Sequence, residues 1–175
     1  MKLIVGLGNP GEKFKKTRHN AGAFIVESWL KNQNFNNLIL KKKLEAKISL
    51  NPDLAAAIPE VYMNESGRAI RKIMKEFKIK PPDLLIIHDD ADLTTGNYKL
   101  QLNRGAAGHR GIQSVIDLLK TKNFWRLRIG VRPAINKLRQ KAEIFILKKF
   151  APSEFETLKK TLPDFEAKIN EWLKK

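Results

Sequence analysis

The chain has 175 residues, 42% of them hydrophobic, which suits one domain with a core of its own. It has no cysteine, so disulfides, thiolate metal sites and a thiol nucleophile are excluded, and any catalyst is built from His, carboxylate, amide or hydroxyl groups. Thirty-four Lys and Arg against 18 Asp and Glu give a formal net charge of +16, spread along the chain, which points to a polyanionic partner, with plain solubility as the alternative.

No apolar run reaches the roughly 20 residues needed to cross a bilayer, and MKLIVGLGNPG lacks the features of a signal peptide, so a cytoplasmic, membrane-free protein is expected. Residues 3–7 read as a buried strand. Ala21, Phe24, Ile25, Ser28 and Trp29 then follow at helical spacing, with Asn20 as N-cap. Residues 31–43 are polar and read as an exposed connection. Residues 46–50 and 55–58, split by Asn51-Pro52-Asp53, read as a hairpin.

Ile70, Ile73, Met74 and Phe77 mark a second helix that Pro81-Pro82 is expected to end, before a buried strand at 84–87. A strand at 98–102, a glycine-containing loop at 105–111, a helix on Ile112, Val115, Ile116 and Leu119, and a strand at 126–131 complete the middle. Near the end, Ser153 and Glu156 fit an S-x-x-E capping box, and Pro163 opens a last helix through Ile169 and Trp172. Strands interleaved with helices imply a single α/β domain over residues 1–175. Its central sheet is expected to be mixed, mainly parallel and twisted, with helices covering both faces and a site at the carboxyl ends of strands.

The stretch GLGNPG (residues 6–11) has the G-x-G-x-x-G spacing of a dinucleotide-binding turn, but Pro10-Gly11 reads as a turn and no amphipathic helix follows until about Asn20. The acidic residue required about 20 positions later is missing too, so no nucleotide cofactor is expected. The glycines instead suggest a sharp backbone turn that presents Asn9.

GLGNPG is followed by Phe14, TRHNAG (17–22), YMNESG (62–67), HDDADL (88–93), GHRG (108–111) and FWRLRIGV (124–131). In this order and spacing, across nearly the whole chain, the motifs resemble those of bacterial peptidyl-tRNA hydrolases. The resemblance implies metal-independent, cofactor-free hydrolysis of the ester joining a peptide to the 3′ ribose of tRNA, by a monomer. His19 matches the family's general base. Its place just before a helix N-terminus disfavours imidazolium and keeps a proton-accepting ring available. Asp89 matches the aspartate that orients that base.

Asn9 and Asn64, neutral amides, match residues that position peptide and ester. Phe14, Tyr62 and His109 match residues near the substrate's 3′ end. A turn role for Asn9, a helix N-cap for Asn64 and a capping role for His109 remain open from the residues alone. Two departures stand out: Arg110 replaces the usual asparagine of GHNG, and Gln101 replaces a usual lysine. With Arg128 matching the partner of a tRNA phosphate, these departures imply phosphate recognition shared with Arg104 or Arg110. Two rivals remain at this level. One is a divalent-metal nuclease using His88, Asp89, Asp90 and Asp92; the other is a tRNA-binding homologue without activity.

Overall fold

Leu3, Ile4 and Val5 have no solvent exposure, because the strand they form, β1 (Lys2–Gly6), lies at the middle of the sheet and is covered on both faces. The computed structural model describes residues 1–33, 35, 37–133 and 141–175. In it β1 is flanked by β4 (Leu54–Pro59) and β5 (Leu84–Thr94), both parallel to it, and β5 pairs in parallel with β7 (Trp125–Arg132). The margins are antiparallel: β3 (Ala46–Leu50) forms the expected hairpin with β4, β2 (Ile39–Lys41) adds to β3, and β6 (Tyr98–Leu102) pairs with β7. The order is β2-β3-β4-β1-β5-β7-β6.

Alternation along the strands separates two cores. Ile4, Ile87, Leu127 and Ile129 face α1 (Ala21–Asn32), α4 (Pro152–Lys160) and α5 (Leu162–Leu173), packing with Trp29, Phe165 and Trp172. Leu3, Val5, Leu84 and Ile86 face α2 (Ser66–Glu76) and α3 (Arg110–Leu119), packing with Ile70, Ile73, Ile112 and Val115. After β1 the chain moves toward β4; after β4 it crosses back to β5 on the other side of β1. The sheet therefore has its topological switch point between β1 and β5, where a crevice opens beyond the strand ends.

Several local expectations are corrected. The 31–43 connection contains the edge strand β2, which pairs with β3 although Ile39 and Leu40 stay exposed; residues 34 and 36 lie outside the described residues. The helix α2 ends before Pro81-Pro82: Lys78 turns left-handed (φ 52°) and the Ile79 amide reaches back to the Met74 carbonyl. Ser153 is not an N-cap, because Pro152 takes the first helical position and the Glu154 carboxylate accepts the Ala151 amide instead. Strand β5 does not stop at Ile87 but runs on to Thr94, carrying His88, Asp89 and Asp90 as strand residues.

Candidate active site

Of the glycines in GLGNPG only Gly11 has a positive φ (99°), so the sharp turn expected of the others is not what they supply. Gly6 makes room for α1: a Cβ there would stand 2.5 Å from the Gly22 carbonyl oxygen. Gly22 is as constrained, since its Cβ would collide with the Ile87 carbonyl oxygen of β5. The Leu7 amide donates to the Ile87 carbonyl (3.0 Å) and the Ala23 amide to the Leu7 carbonyl (3.0 Å). The first turn of α1 is thus wedged between the ends of β1 and β5.

That wedge places His19, which stands in a short 3-10 turn (Arg18–Asn20) immediately before α1 and is 6% exposed. Its amide donates to the Ile146 carbonyl. Arg18 ties the same turn to the C-terminal segment: its guanidinium donates to the carbonyls of Val131 and Lys149 and pairs with Glu154.

Asp89, at the carboxyl end of β5, receives two histidines. His19 Nδ1 lies 2.9 Å from each carboxylate oxygen, and His109 Nε2 lies 2.9 Å from Oδ1. The protons follow from the next bond out. His109 is the N-cap of α3, and its Nδ1 accepts the Ile112 amide at 3.2 Å, so its proton sits on Nε2 and is donated to Asp89. His19 likewise donates from Nδ1, which leaves the lone pair of Nε2 on the pocket side. Burial by itself would raise the Asp89 carboxyl, but the two imidazoles against it outweigh burial and hold it well below its ordinary value.

Asn20 is the N-cap of α1 by position, yet its carboxamide caps nothing there; it accepts from the Asn9 amide and donates to the Asn9 carbonyl, both at 2.9 Å. The Asn9 Oδ1 in turn accepts the Met63 amide (2.8 Å). With its oxygen committed, the Asn9 side chain has its NH2 left to donate.

A pocket of about 940 Å³ opens over this arrangement, lined by Asn9, His19, Tyr62, Asn64, Asp89, His109, Arg110 and Arg128 among others. The exposed Asn64 lies in the turn ahead of α2 and does not cap it; Glu65 holds that position. Tyr62 is 55% exposed and meets Phe14 edge-on, ring centres 6.5 Å apart, although Phe14 itself does not line the pocket. Arg110, exposed at the first turn of α3, reaches the rim, whereas the exposed Arg104 is outside the lining. Arg128 is held by Asp90 (2.5 Å) and by Gln101 (2.7 Å), the residue in place of the usual lysine.

The carboxylates of the nuclease alternative do not converge. Asp90 is spent on Arg128, the Asp92 side chain is 58% exposed, and the acidic and histidine groups that do come together among the described residues are His19, Asp89 and His109. Their ligand atoms lie within 4.8 Å of one another, but His109 Nε2 carries a proton that its helix cap fixes there, which opposes ligation.

Sequence reasoning missed Asn20 as the clamp on Asn9, Arg18 as the staple of the turn that carries His19, and Met63 as the amide that orients Asn9. Arg18 and Asn20 flank His19 in TRHNAG, so the motif marked the place but not the bonds.

Residues 3–175 match the family model of peptidyl-tRNA hydrolase. The chain belongs to the peptidyl-tRNA hydrolase family. A peptidyl-tRNA hydrolase of Sulfurihydrogenibium is 38% identical over 93% of this chain and 85% of its own length, and one of Mycoplasma mycoides is 38% identical over 98% and 92%. Among solved structures, the peptidyl-tRNA hydrolase of Acinetobacter baumannii superposes with a TM-score of 0.88 at 30% identity, covering 99% of this chain and 89% of that one. Family membership and this fold go together with an esterase that releases tRNA from peptidyl-tRNA. Among the described residues no helix is long and apolar enough to cross a membrane.

Proposed function

We propose that this chain hydrolyses peptidyl-tRNA with His19 as general base and without a covalent intermediate. A water hydrogen-bonded to His19 Nε2 gives up a proton as its oxygen attacks the ester carbonyl, and Asp89 stabilises the imidazolium that forms. The tetrahedral intermediate collapses by breaking the bond to the ribose oxygen, which takes the proton back from His19. An ester is activated enough for this route. The Asn9 NH2 and the exposed Asn64 amide hold the peptide and the carbonyl, Tyr62 offers a ring face in the pocket with Phe14 behind it, and His109 keeps Asp89 in place. Arg128, Arg110 and Arg104 supply charge for tRNA phosphates, reading backbone and not sequence.

The observation that carries this reading is the directed chain Ile112 N–H to His109 to Asp89 to His19, which ends in a free imidazole nitrogen at a pocket on the switch point of the sheet. The protein acts as a monomer in the cytoplasm, on the same reading. The test is purified protein with N-acetylated aminoacyl-tRNA in excess EDTA. Release of the N-acetylated amino acid with intact tRNA is expected; cleavage of the RNA chain, or binding without release, would overturn the assignment.

A further inference from the structure

Arg126, Arg128 and Arg132 alternate along β7 on one face, and all three line the pocket. Arg128 is paired with Asp90, and the Arg132 Nε donates to the Ala91 carbonyl. Arg126 is different. It is 2% exposed, and its Nε has no hydrogen-bond partner among the described residues. Beside Asp89, His88 commits Nδ1 to the Asp89 carbonyl (2.7 Å) and leaves an Nε2 that is also buried without a partner. Burial, and then repulsion from Arg128, brings the Arg126 guanidinium down to about 10, so it is still a cation near neutral pH.

Asp90, the carboxylate whose charge reaches Arg126, is already bonded to Arg128. A buried cation left short of a counter-ion destabilises the fold, and an apolar side chain of similar length would serve packing better. The pocket has a second feature with the same polarity. The residues 106–110 lead through two left-handed positions, Ala107 (φ 49°) and Gly108 (φ 80°), into the ten-residue helix α3, whose first-turn amides have no acceptor within the helix; that of Ile112 is spent on His109 Nδ1, which leaves those before it. A planar guanidinium fork and a helix N-terminus in one pocket suit a phosphate oxyanion.

The position of the site selects which phosphate. The His109 ring is 5.0 Å from that of His19 and 4.7 Å from that of His88, and His88 is near enough to Arg126 to feel its charge, so the imidazoles lead from the proposed base toward the buried cation over about the span of one nucleotide. We propose that Arg126 binds the phosphodiester that joins the ester-bearing terminal nucleotide to the rest of the tRNA. The assignment rests on the hydrolase reading above and adds to it the contact that anchors the leaving nucleotide.

The experiment compares two minimal substrates, an N-acetylaminoacyl ester of adenosine and the same ester of adenosine 5′-monophosphate. In the unaltered protein the phosphate is expected to raise kcat/KM by about tenfold or more, the usual worth of a charge-assisted hydrogen bond. In Arg126→Gln the ratio of the two values falls toward one, and in Arg126→Lys, which keeps the charge, part of the gain survives. Because each ratio is internal to one protein, a general loss of activity does not imitate the result. An undiminished ratio in Arg126→Gln overturns the proposal. So does a deficit of Arg126→Gln on full tRNA that disappears once the tRNA 5′-phosphate is removed, since Arg126 then holds the other end. Failure of the unaltered protein to cleave either ester or the full substrate would instead sink the hydrolase reading.

Discussion

The Ile112 amide donates to His109 Nδ1, and that bond sets the direction of the hydrogen bonds beyond it: His109 donates to Asp89, Asp89 accepts from His19, and the lone pair of His19 Nε2 is left over. His19→Ala removes the proposed acceptor of the water's proton, so kcat should fall by about 10²–10⁴ with the fold intact, as measured by turnover and circular dichroism. Asp89→Asn should be about as damaging, since an amide presents N–H where His19 Nδ1 needs an acceptor and favours the wrong tautomer. A His19→Ala protein that turned over normally would refute the mechanism. Arg110 stands exposed at the start of α3, where a cation opposes the helix dipole, so it has no stabilising reason to be there. On the proposed reading it is a phosphate contact at the pocket rim. Arg110→Asn should reduce the salt dependence of tRNA binding by about one unit of log–log slope while hydrolysis continues; an unchanged slope would remove Arg110 from the tRNA surface.

At the scale of elements, the site is precise because α1 enters between two strand ends with no space to spare. Gly6 and Gly22 were legible as glycines in motifs, but their reason, backbone approach of β1, α1 and β5, is a property of three segments brought together. Gly22→Ala must push the start of α1 off the Ile87 carbonyl, and His19 sits three residues earlier. The expected cost is about 1–3 kcal/mol of stability in urea unfolding, together with a loss of kcat that exceeds any change in KM. Unaltered unfolding and turnover would show that the wedge has slack. Strand β5 makes the complementary point. Its apolar run 84–87 was readable from sequence, whereas its continuation through His88, Asp89 and Asp90 was not, because ladder bonds to β7 outweigh the polar character of those residues.

Taken whole, the molecule keeps buried titratable groups on β5, beside its middle strand, and this sets its response to acid. His88 is buried, and burial, followed by electrostatic opposition from neighbouring His109, lowers its affinity for protons well below the ordinary value of 6.5. The unfolded chain therefore takes up a proton on His88 below about pH 6.5 that the folded chain refuses, so stability falls as pH drops through that range. Asp89 adds a second loss lower down: its folded-state carboxyl lies below the ordinary 3.8, so its contribution is present above that value and fades beneath it. Urea unfolding between pH 7.5 and 3.5 should show a decline that starts near 6.5. His88→Asn, whose amide can still donate to the Asp89 carbonyl, should flatten the upper part of that decline; an unflattened curve would place the acid sensitivity elsewhere.

Sequence alone determined what depends on local pattern. Periodicity marked the helices and the strands other than β2 and the far half of β5, the absence of cysteine excluded thiol chemistry, a charge of +16 indicated a polyanion, and six motifs in order indicated the family and, by resemblance, proposed His19 and Asp89 as a pair. What depends on residues far apart in the chain had to come from the fold. His19 and Asp89 are 70 positions apart, and neither the second histidine on Asp89, nor the Asn20 clamp on Asn9, nor the Arg126 Nε left without a partner among the described residues carries a signal at short range. The physical reason is that a side chain's hydrogen-bond partner and its burial are fixed by which strand ends meet at the switch point, and that meeting exists only in three dimensions.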